Sequence, residues 1–164
     1  MSAEFRYAKP EDLQAIVQTY NSTIPSRMVT ADLEPVTVES RQHWFNAHSP
    51  DKRPVWIISF KGRYAGWMSF SSFYGRPAYN GTAELSIYLE TDLRGKGLGR
   101  EALNKALSEA RSLRIENVLG FIFGHNKPSL DLFYKAGFER WGCLPGVADM
   151  AGEKRDLLIL GKKL

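Results

Sequence analysis

Only one cysteine, Cys143, stands in the 164-residue chain, so no internal disulfide can staple the fold. A lone thiol fits a reducing cytoplasm, which is the expected location. No run of about 18 apolar residues occurs, and that excludes a membrane-spanning helix. The opening MSAEFRYAKPED has neither an apolar core nor a cleavage site, so no secretory signal and no membrane partner are expected. Internal repeats, low-complexity tracts and linkers are also missing, and one domain over residues 1–164 is expected. The net charge is +4, but the basic residues form no cluster of five or more. A nucleic-acid partner is therefore not expected, and the surplus reads as solubility or as attraction of an anionic ligand. His43, His48 and His125 lack ligand spacing, so no metal is expected.

What is there is an ordinary core-forming composition, 43% hydrophobic and 24% charged. Phe5 to Ala8 alternates as a short strand. Pro10, Glu11 and Asp12 announce a helix, and Leu13, Ile16, Val17 and Tyr20 give it one apolar face. The stretch from Asn21 to Glu39 is irregular, and a short helix carrying Trp44 and Phe45 is expected after it. Val55–Phe60 and Tyr64–Phe70 read as a hairpin around Lys61-Gly62-Arg63. A loop with Gly75, Pro77 and Gly81 leads to a strand from Thr82 to Leu89. Leu98, Ala102, Leu103, Ala106, Leu107 and Ala110 line a long helix ending near Leu113. Then come a buried strand, Val118–Phe123, a helix from Leu130 to Ala136 closed by Gly137, and strands at Phe138–Trp141 and Asp156–Leu160. This order predicts an α+β fold, a mixed α/β sheet flanked by helices.

Between the Thr82–Leu89 strand and the long helix lies Arg94-Gly95-Lys96-Gly97-Leu98-Gly99-Arg100. Glycines let backbone approach a ligand closely, and the first N–H groups of a helix have no internal partners. With Arg94, Lys96 and Arg100 beside them, these donors suit a pyrophosphate. A Walker loop does not fit, because Gly97 follows Lys96 where a Ser or Thr should hold magnesium. A dinucleotide fingerprint is formally met by Gly97, Gly99 and Ala102, but no ribose-binding acid ends the next strand. A glycine-rich turn serving only the fold is the third alternative.

At these residues the chain resembles the GCN5-related N-acetyltransferases. Their signature at this strand-to-helix junction is Arg or Gln, two residues, Gly, one residue, Gly or Ala, and Arg94 to Gly99 fits it. A second family segment, an Asn before a helix that ends in Gly-Phe, is similar to Asn126 through Phe138. The resemblance implies a mixed central sheet splayed open near its middle, with acetyl-CoA in the gap as co-substrate. It implies pantetheine and thioester binding by Ile87, Tyr88 and Leu89. Pyrophosphate binding falls to the segment from Arg94 through Gly95, Lys96, Gly97, Leu98 and Gly99 to Arg100. Asn126, with Ser129 at the same helix start, contacts the pantetheine arm. A homodimer is also implied.

A narrower likeness runs from Arg76 to Leu89, which is similar to the segment before the glycine loop in phosphinothricin and methionine sulfoximine acetyltransferases. It implies Glu84 as general base, Arg76 and Tyr79 at the substrate pocket, and a small-molecule amine as acceptor. Chemistry agrees, since an ammonium must lose a proton before it can attack a thioester. Read without the resemblance, a glutamate in a strand is solvated or ion-paired, and an arginine in a Gly/Pro-rich loop is solvated. Phe133 stands where many family members carry a thiolate-protonating tyrosine, with Tyr134 about 100° around the helix. Arg155 stands where phosphinothricin-type enzymes have histidine, and residues 147–154 lack their pattern. Two other functions remain open at this point: a non-catalytic acyl-CoA sensor, and an NAD-dependent oxidoreductase built on the glycine fingerprint.

Overall fold

The computed structural model describes residues 2–164. Its seven strands are β1 (Glu4–Tyr7), β2 (Val55–Phe60), β3 (Arg63–Ser72), β4 (Thr82–Leu89), β5 (Asn117–Phe123), β6 (Glu139–Met150) and β7 (Glu153–Lys163). They form one sheet in the order β1-β2-β3-β4-β5-β7-β6. Four helices flank it: α1 (Leu13–Ser22), α2 (Val38–Asn46), α3 (Leu98–Ala110) and α4 (Lys127–Lys135). The mixed α/β class is as the sequence implies. Only β4 and β5 run parallel. A dinucleotide-binding fold needs successive parallel strands, so the dinucleotide alternative for Gly97–Ala102 has no frame here.

Each face of the sheet buries one apolar layer. On one side α1 sets Leu13, Ile16 and Val17 against Val55, Ile57 and Trp67, with Trp44 and Phe45 of α2 at the margin. Full burial contributes about 1.5–3 kcal/mol for each such side chain. The Trp67 indole also donates to the Ile16 carbonyl at 3.1 Å, which ties helix to strand. On the other side Leu98, Ala102, Leu103 and Ala106 of α3, and Leu130 and Phe133 of α4, meet Ile58, Phe70, Leu85, Val118, Ile122 and Leu160. Gly99 is the point of close approach between these helices: a Cβ there would lie 3.2 Å from Leu132.

The C-terminal hairpin is longer than the sequence pattern implies. Ala151 and Gly152 both take positive φ, 57° and 100°, and make a two-residue turn that joins β6 directly to β7. Asp149 accepts from the Gly152 N–H at 2.8 Å and fixes that turn. The register between Leu144 and Ala148 shifts around Pro145 and Gly146, which breaks the two-residue alternation by which a strand is read. The tight β2–β3 turn likewise uses Lys61 and Gly62, at φ 53° and 75°.

Strands β2 and β3 carry a bulge beside Ile58, and Gly66 sits next to it. Its φ is +152°, and a Cβ there would fall on the Tyr88 carbonyl oxygen of β4. Gly66→Ala is therefore expected to cost about 2–4 kcal/mol, read as a lower denaturant midpoint. A loss under about 0.5 kcal/mol would contradict the close approach of β3 and β4 at this point.

Candidate active site

Pairing between β4 and β5 is confined to Thr82 with Asn117, Ala83 with Val118, and Glu84 with Leu119. Beyond Glu84 the strands diverge: β4 stays with β3 as far as Leu89, and β5 stays with β7 as far as Phe123. The edge of β4 from Leu85 to Leu89 that faces β5 thus carries no ladder. A cleft of about 650 Å³ fills the fork, lined by Glu84 to Leu89, Phe121, Ile122, Asn126, Ser129, Phe133 and the glycine loop.

At the far end of this cleft the loop turns into α3. Gly95 and Gly97 have φ of 76° and 81°, and a Cβ on either would meet nothing within 4 Å. Their exposed faces are therefore open space, not packing. The N–H groups of residues 95–100 donate to no other backbone group, and the first bond of the helix runs from the Glu101 N–H to the Gly97 carbonyl at 3.2 Å. Gly97 as N-cap offers no side chain to satisfy these donors. Free amides at the positive end of a 13-residue helix, with Arg94 and Arg100 also lining the cleft, could hold an anion. Lys96 is exposed and does not line it.

Across the fork, Asn126 is buried and caps α4, its Oδ1 accepting from the Ser129 N–H at 3.3 Å. Its amide nitrogen has no protein partner and can donate to a cleft occupant. Phe133 packs over Gly120, with Phe138 at a centroid distance of 4.8 Å. Tyr134 points away, 42% exposed, and does not line the cleft.

A second hollow, about 190 Å³, lies on the α1/α2 side of β4. Ile16, Val17, Val36, Trp44 and Trp67 make it apolar, while Arg41, Ser69, Ser71, Glu84 and Ser86 supply its polar groups. Tyr88 closes one wall, stacked on Trp67 at 4.7 Å and edge-on to Tyr20 at 5.3 Å. Arg41 is held over the Tyr20 ring at 4.8 Å and paired with Asp32 at 3.0 Å. Tyr20 itself hydrogen-bonds Thr30 and Asp32, so this network anchors the irregular segment after α1. Glu84, Ser86 and Tyr88 line both hollows, which therefore meet along β4.

Glu84 has no ion-pair partner among the described residues, and burial raises its carboxyl above the ordinary carboxylate range. Burial pushes the Tyr88 phenol far up as well, so it stays protonated and serves as a wall. The structure brings Glu84, Ile87, Tyr88, Leu89, Arg94, Gly95, Gly97, Leu98, Gly99, Arg100, Asn126 and Ser129 together around one cleft. It does not bring Arg76 and Tyr79 to either hollow of their own chain. They line a separate depression with Tyr74, Pro77 and Ala78, and Tyr79 packs edge-on to Phe73 at 5.4 Å. Buried Arg53 donates to the Asn80 carbonyl at 2.8 Å and to Ser72 at 3.2 Å, fixing this loop at its base. Among the described residues no group of three His, Cys, Asp or Glu is placed to hold a metal.

Reading along the chain missed Arg41, Ser71 and Ser86. Trp67-Ser69-Ser71 on β3 and Glu84-Ser86-Tyr88 on β4 put small polar residues at alternate positions of otherwise apolar strands. That was the available signal. Thr23, Ser26, Met28 and Val29, which also line the cleft, come from the irregular segment and had none.

The forked sheet is the one that the resemblance to the GCN5-related N-acetyltransferases implies. Residues 3–139 match the acetyltransferase (GNAT) domain, and the chain belongs to that family. It is an N-acetyltransferase. A Bacillus subtilis protein named "Putative phosphinothricin acetyltransferase YwnH" is 54% identical over 160 residues, 97% of this chain and 98% of that protein. The L-methionine sulfoximine/L-methionine sulfone acetyltransferase of Pseudomonas paraeruginosa is 31% identical over 161 residues, 98% of this chain and 94% of that one. A crystal structure of a phosphinothricin acetyltransferase from Sinorhizobium meliloti in complex with AcCoA superposes with a TM-score of 0.93 at 25% identity, covering 100% of this chain and 89% of that one.

Desolvation of Glu84 has a consequence for stability. Its folded pKa lies above the unfolded value, so stability falls as pH rises through the folded pKa. Glutamine escapes that loss. Glu84→Gln is expected to melt a few degrees higher than the wild type at about pH 8, with the gap closing below about pH 4. A variant that melts lower at pH 8 would show that the carboxylate is stabilised rather than strained.

Proposed function

We propose that the protein transfers the acetyl group of acetyl-CoA to the primary amine of a small amino acid of the phosphinothricin or methionine sulfoximine/sulfone type. The observation that carries this reading is the meeting of the two hollows at Glu84, Ser86 and Tyr88. The larger cleft suits acetyl-CoA: its pyrophosphate on the free amides of residues 95–100, its pantetheine amides along the unpaired edge of Ile87 to Leu89. There they can pair as an added strand would. The Asn126 amide would donate to the pantetheine arm, and Ser129 would flank it.

The smaller hollow then takes the acceptor. Its apolar wall fits an aliphatic side chain, and the Arg41 guanidinium offers a planar fork to a carboxylate. Arg76 and Tyr79 line a depression that shares no residue with either hollow and have no part in this reading. Glu84, at the junction, takes the ammonium proton directly or through water, and its raised pKa improves it as a base. The amine then attacks the thioester carbonyl, which N–H groups of the free β4 edge polarise. Phe133 has no proton to give the leaving thiolate, but a thiol of ordinary pKa, about 8.5, departs as thiolate near neutrality.

No metal enters this chemistry. We further propose that the chain acts as one domain, in the cytoplasm, as a homodimer. Val118, Ile122, Leu158 and Leu160 face α3 and α4, so Phe121, Leu157 and Ile159 face the other way. Phe121, Leu157 and Ile159 are only partly buried there, and Leu144, Val147 and Tyr74 are exposed, 43%, 59% and 78%. Light scattering should give twice the chain mass of 18.6 kDa, and Val147→Glu should shift it toward the monomer. A wild type of single-chain mass at micromolar concentration removes the dimer.

The decisive assay follows thiol release with acetyl-CoA and a panel of phosphinothricin, methionine sulfone, methionine sulfoximine and polyamines. Turnover on the amino acids is expected, and turnover on polyamines alone would overturn the acceptor assignment. Glu84→Gln should lower kcat by about 100-fold or more at near-constant acetyl-CoA affinity. Unchanged turnover would remove Glu84 from the mechanism. Gly97→Val should weaken acetyl-CoA binding by more than about tenfold, because the new side chain would occupy the phosphate position. Equal affinity in calorimetry would contradict the loop assignment.

A further inference from the structure

Acetylating an ammonium strips two protons from nitrogen, one before attack and one as the amide forms. A single carboxylate holds one proton at a time. The wall of the acceptor hollow offers a second way out. Ser71 on β3 is the direct cross-strand partner of Glu84 on β4. Side chains so paired have Cβ atoms about 4.5–5.5 Å apart on the same face. Both line the hollow.

Behind Ser71 stands His48. Its Nε2 lies 3.2 Å from the Ser71 Oγ, and its Nδ1 lies 2.8 Å from the Trp44 carbonyl oxygen. A carbonyl can only accept, so Nδ1 carries the hydrogen and Nε2 presents a lone pair. The Ser71 hydroxyl therefore donates to His48 and keeps its own lone pairs for the hollow. Burial lowers the His48 pKa, which keeps the ring neutral and ready to accept near pH 7. The groups against the ring are Trp44 of α2, tilted over it at 4.7 Å, and Ser71 with the Phe70 backbone of β3. Glu84 of β4 and Arg41 of α2 are the charged groups of the hollow, and Arg53 binds the neighbouring Ser72. Both ring nitrogens are taken up inside the protein, Nδ1 by Trp44 and Nε2 by Ser71.

We propose that Ser71 and His48 form a second proton path out of the acceptor hollow. The N–H bond of the reacting nitrogen breaks, its electron pair stays on nitrogen, and the proton goes to the Ser71 oxygen. The Ser71 hydroxyl gives its own proton to His48 Nε2, and the imidazolium holds it until the products leave, when it returns through Ser71 to water entering the hollow. Glu84 keeps the other proton, so both leave without a second charge in the hollow. Ser71 touches the substrate; His48 acts through it.

This path rests on the hollow being the acceptor site. It is tested by kinetics from about pH 5 to pH 9 with acetyl-CoA and L-methionine sulfone, for Ser71→Ala, Ser71→Thr, His48→Gln and the Ser71→Ala/His48→Gln pair. Ser71→Ala and His48→Gln should each lower kcat at pH 7 by about tenfold or more, with KM for both substrates within about twofold. The double variant should be no slower than the slower single, because the two groups serve one path. Ser71→Thr, which keeps the hydroxyl, should recover most of the rate. The acid limb of the wild-type kcat profile should change in His48→Gln, leaving the limb that Glu84 sets. Unchanged kcat, strictly multiplicative losses, or an unaltered acid limb would each overturn the path. Melting curves and acetyl-CoA affinity check the fold, and if His48→Gln fails to fold the Ser71 pair decides alone. A wild type that turns over no amine sinks the acceptor reading and the path together, whereas active wild type with active variants sinks only the path.

Discussion

The whole arrangement depends on one interrupted hydrogen-bond ladder. Three residue pairs join β4 to β5, and the backbone of β4 beyond Glu84 has a partner only on its β3 side. A strand edge so exposed within a sheet is normally a liability, because its N–H and C=O groups seek another chain. Here the edge opens into a cleft, where an extended amide-bearing ligand can complete the ladder. The flanking strands hold the fork open: β3 pins β4 along its length, and β7 pins β5. Phe133, seated on Gly120, packs against the β5 side of the opening.

Placing a glutamate where the ladder ends has a thermodynamic side. Glu84 is half-sequestered, without a cation to balance it, and its carboxyl is pushed up. Groups held this way weaken the fold at neutral pH and strengthen a base, a common trade between stability and activity. The neighbouring polar groups are neutral serine and tyrosine hydroxyls except Arg41, which is tethered to Asp32 and Tyr20. The hollow thus carries one unpaired carboxyl and one restrained guanidinium within an aromatic wall, charges that could meet a zwitterionic guest.

Much of this was legible in the chain itself, where local chemistry spoke loudly. Clustered glycines followed by an amphipathic run marked the loop and α3, and Gly137 marked the end of α4, whose start at Lys127 lies three residues before the expected Leu130. The strand carrying Glu84 was plain from its β-branched and aromatic residues. The fork was not readable by itself, because nothing in Leu85 to Leu89 distinguishes a paired strand edge from an open one; only the family resemblance implied it. Long-range placement was also hidden. Arg41, His48 and Ser71 lie on three elements that meet only after folding, and Arg76 with Tyr79 turned into their own depression because Arg53 and the Phe73 cluster hold that loop aside. The bulged β6–β7 hairpin defeated period-two reading at Pro145 and Gly146.

In the proposed reading, donor and acceptor occupy two hollows joined at Glu84. Its most direct test is calorimetry with a bisubstrate ligand, methionine sulfone linked through its amine and an acetyl bridge to the sulfur of coenzyme A. Joined hollows predict binding at least about 100-fold tighter than coenzyme A alone, since the second contact is made within one complex. Affinity equal to that of coenzyme A would mean that the amine does not enter beside Glu84, and the two-hollow geometry would no longer describe the catalyst.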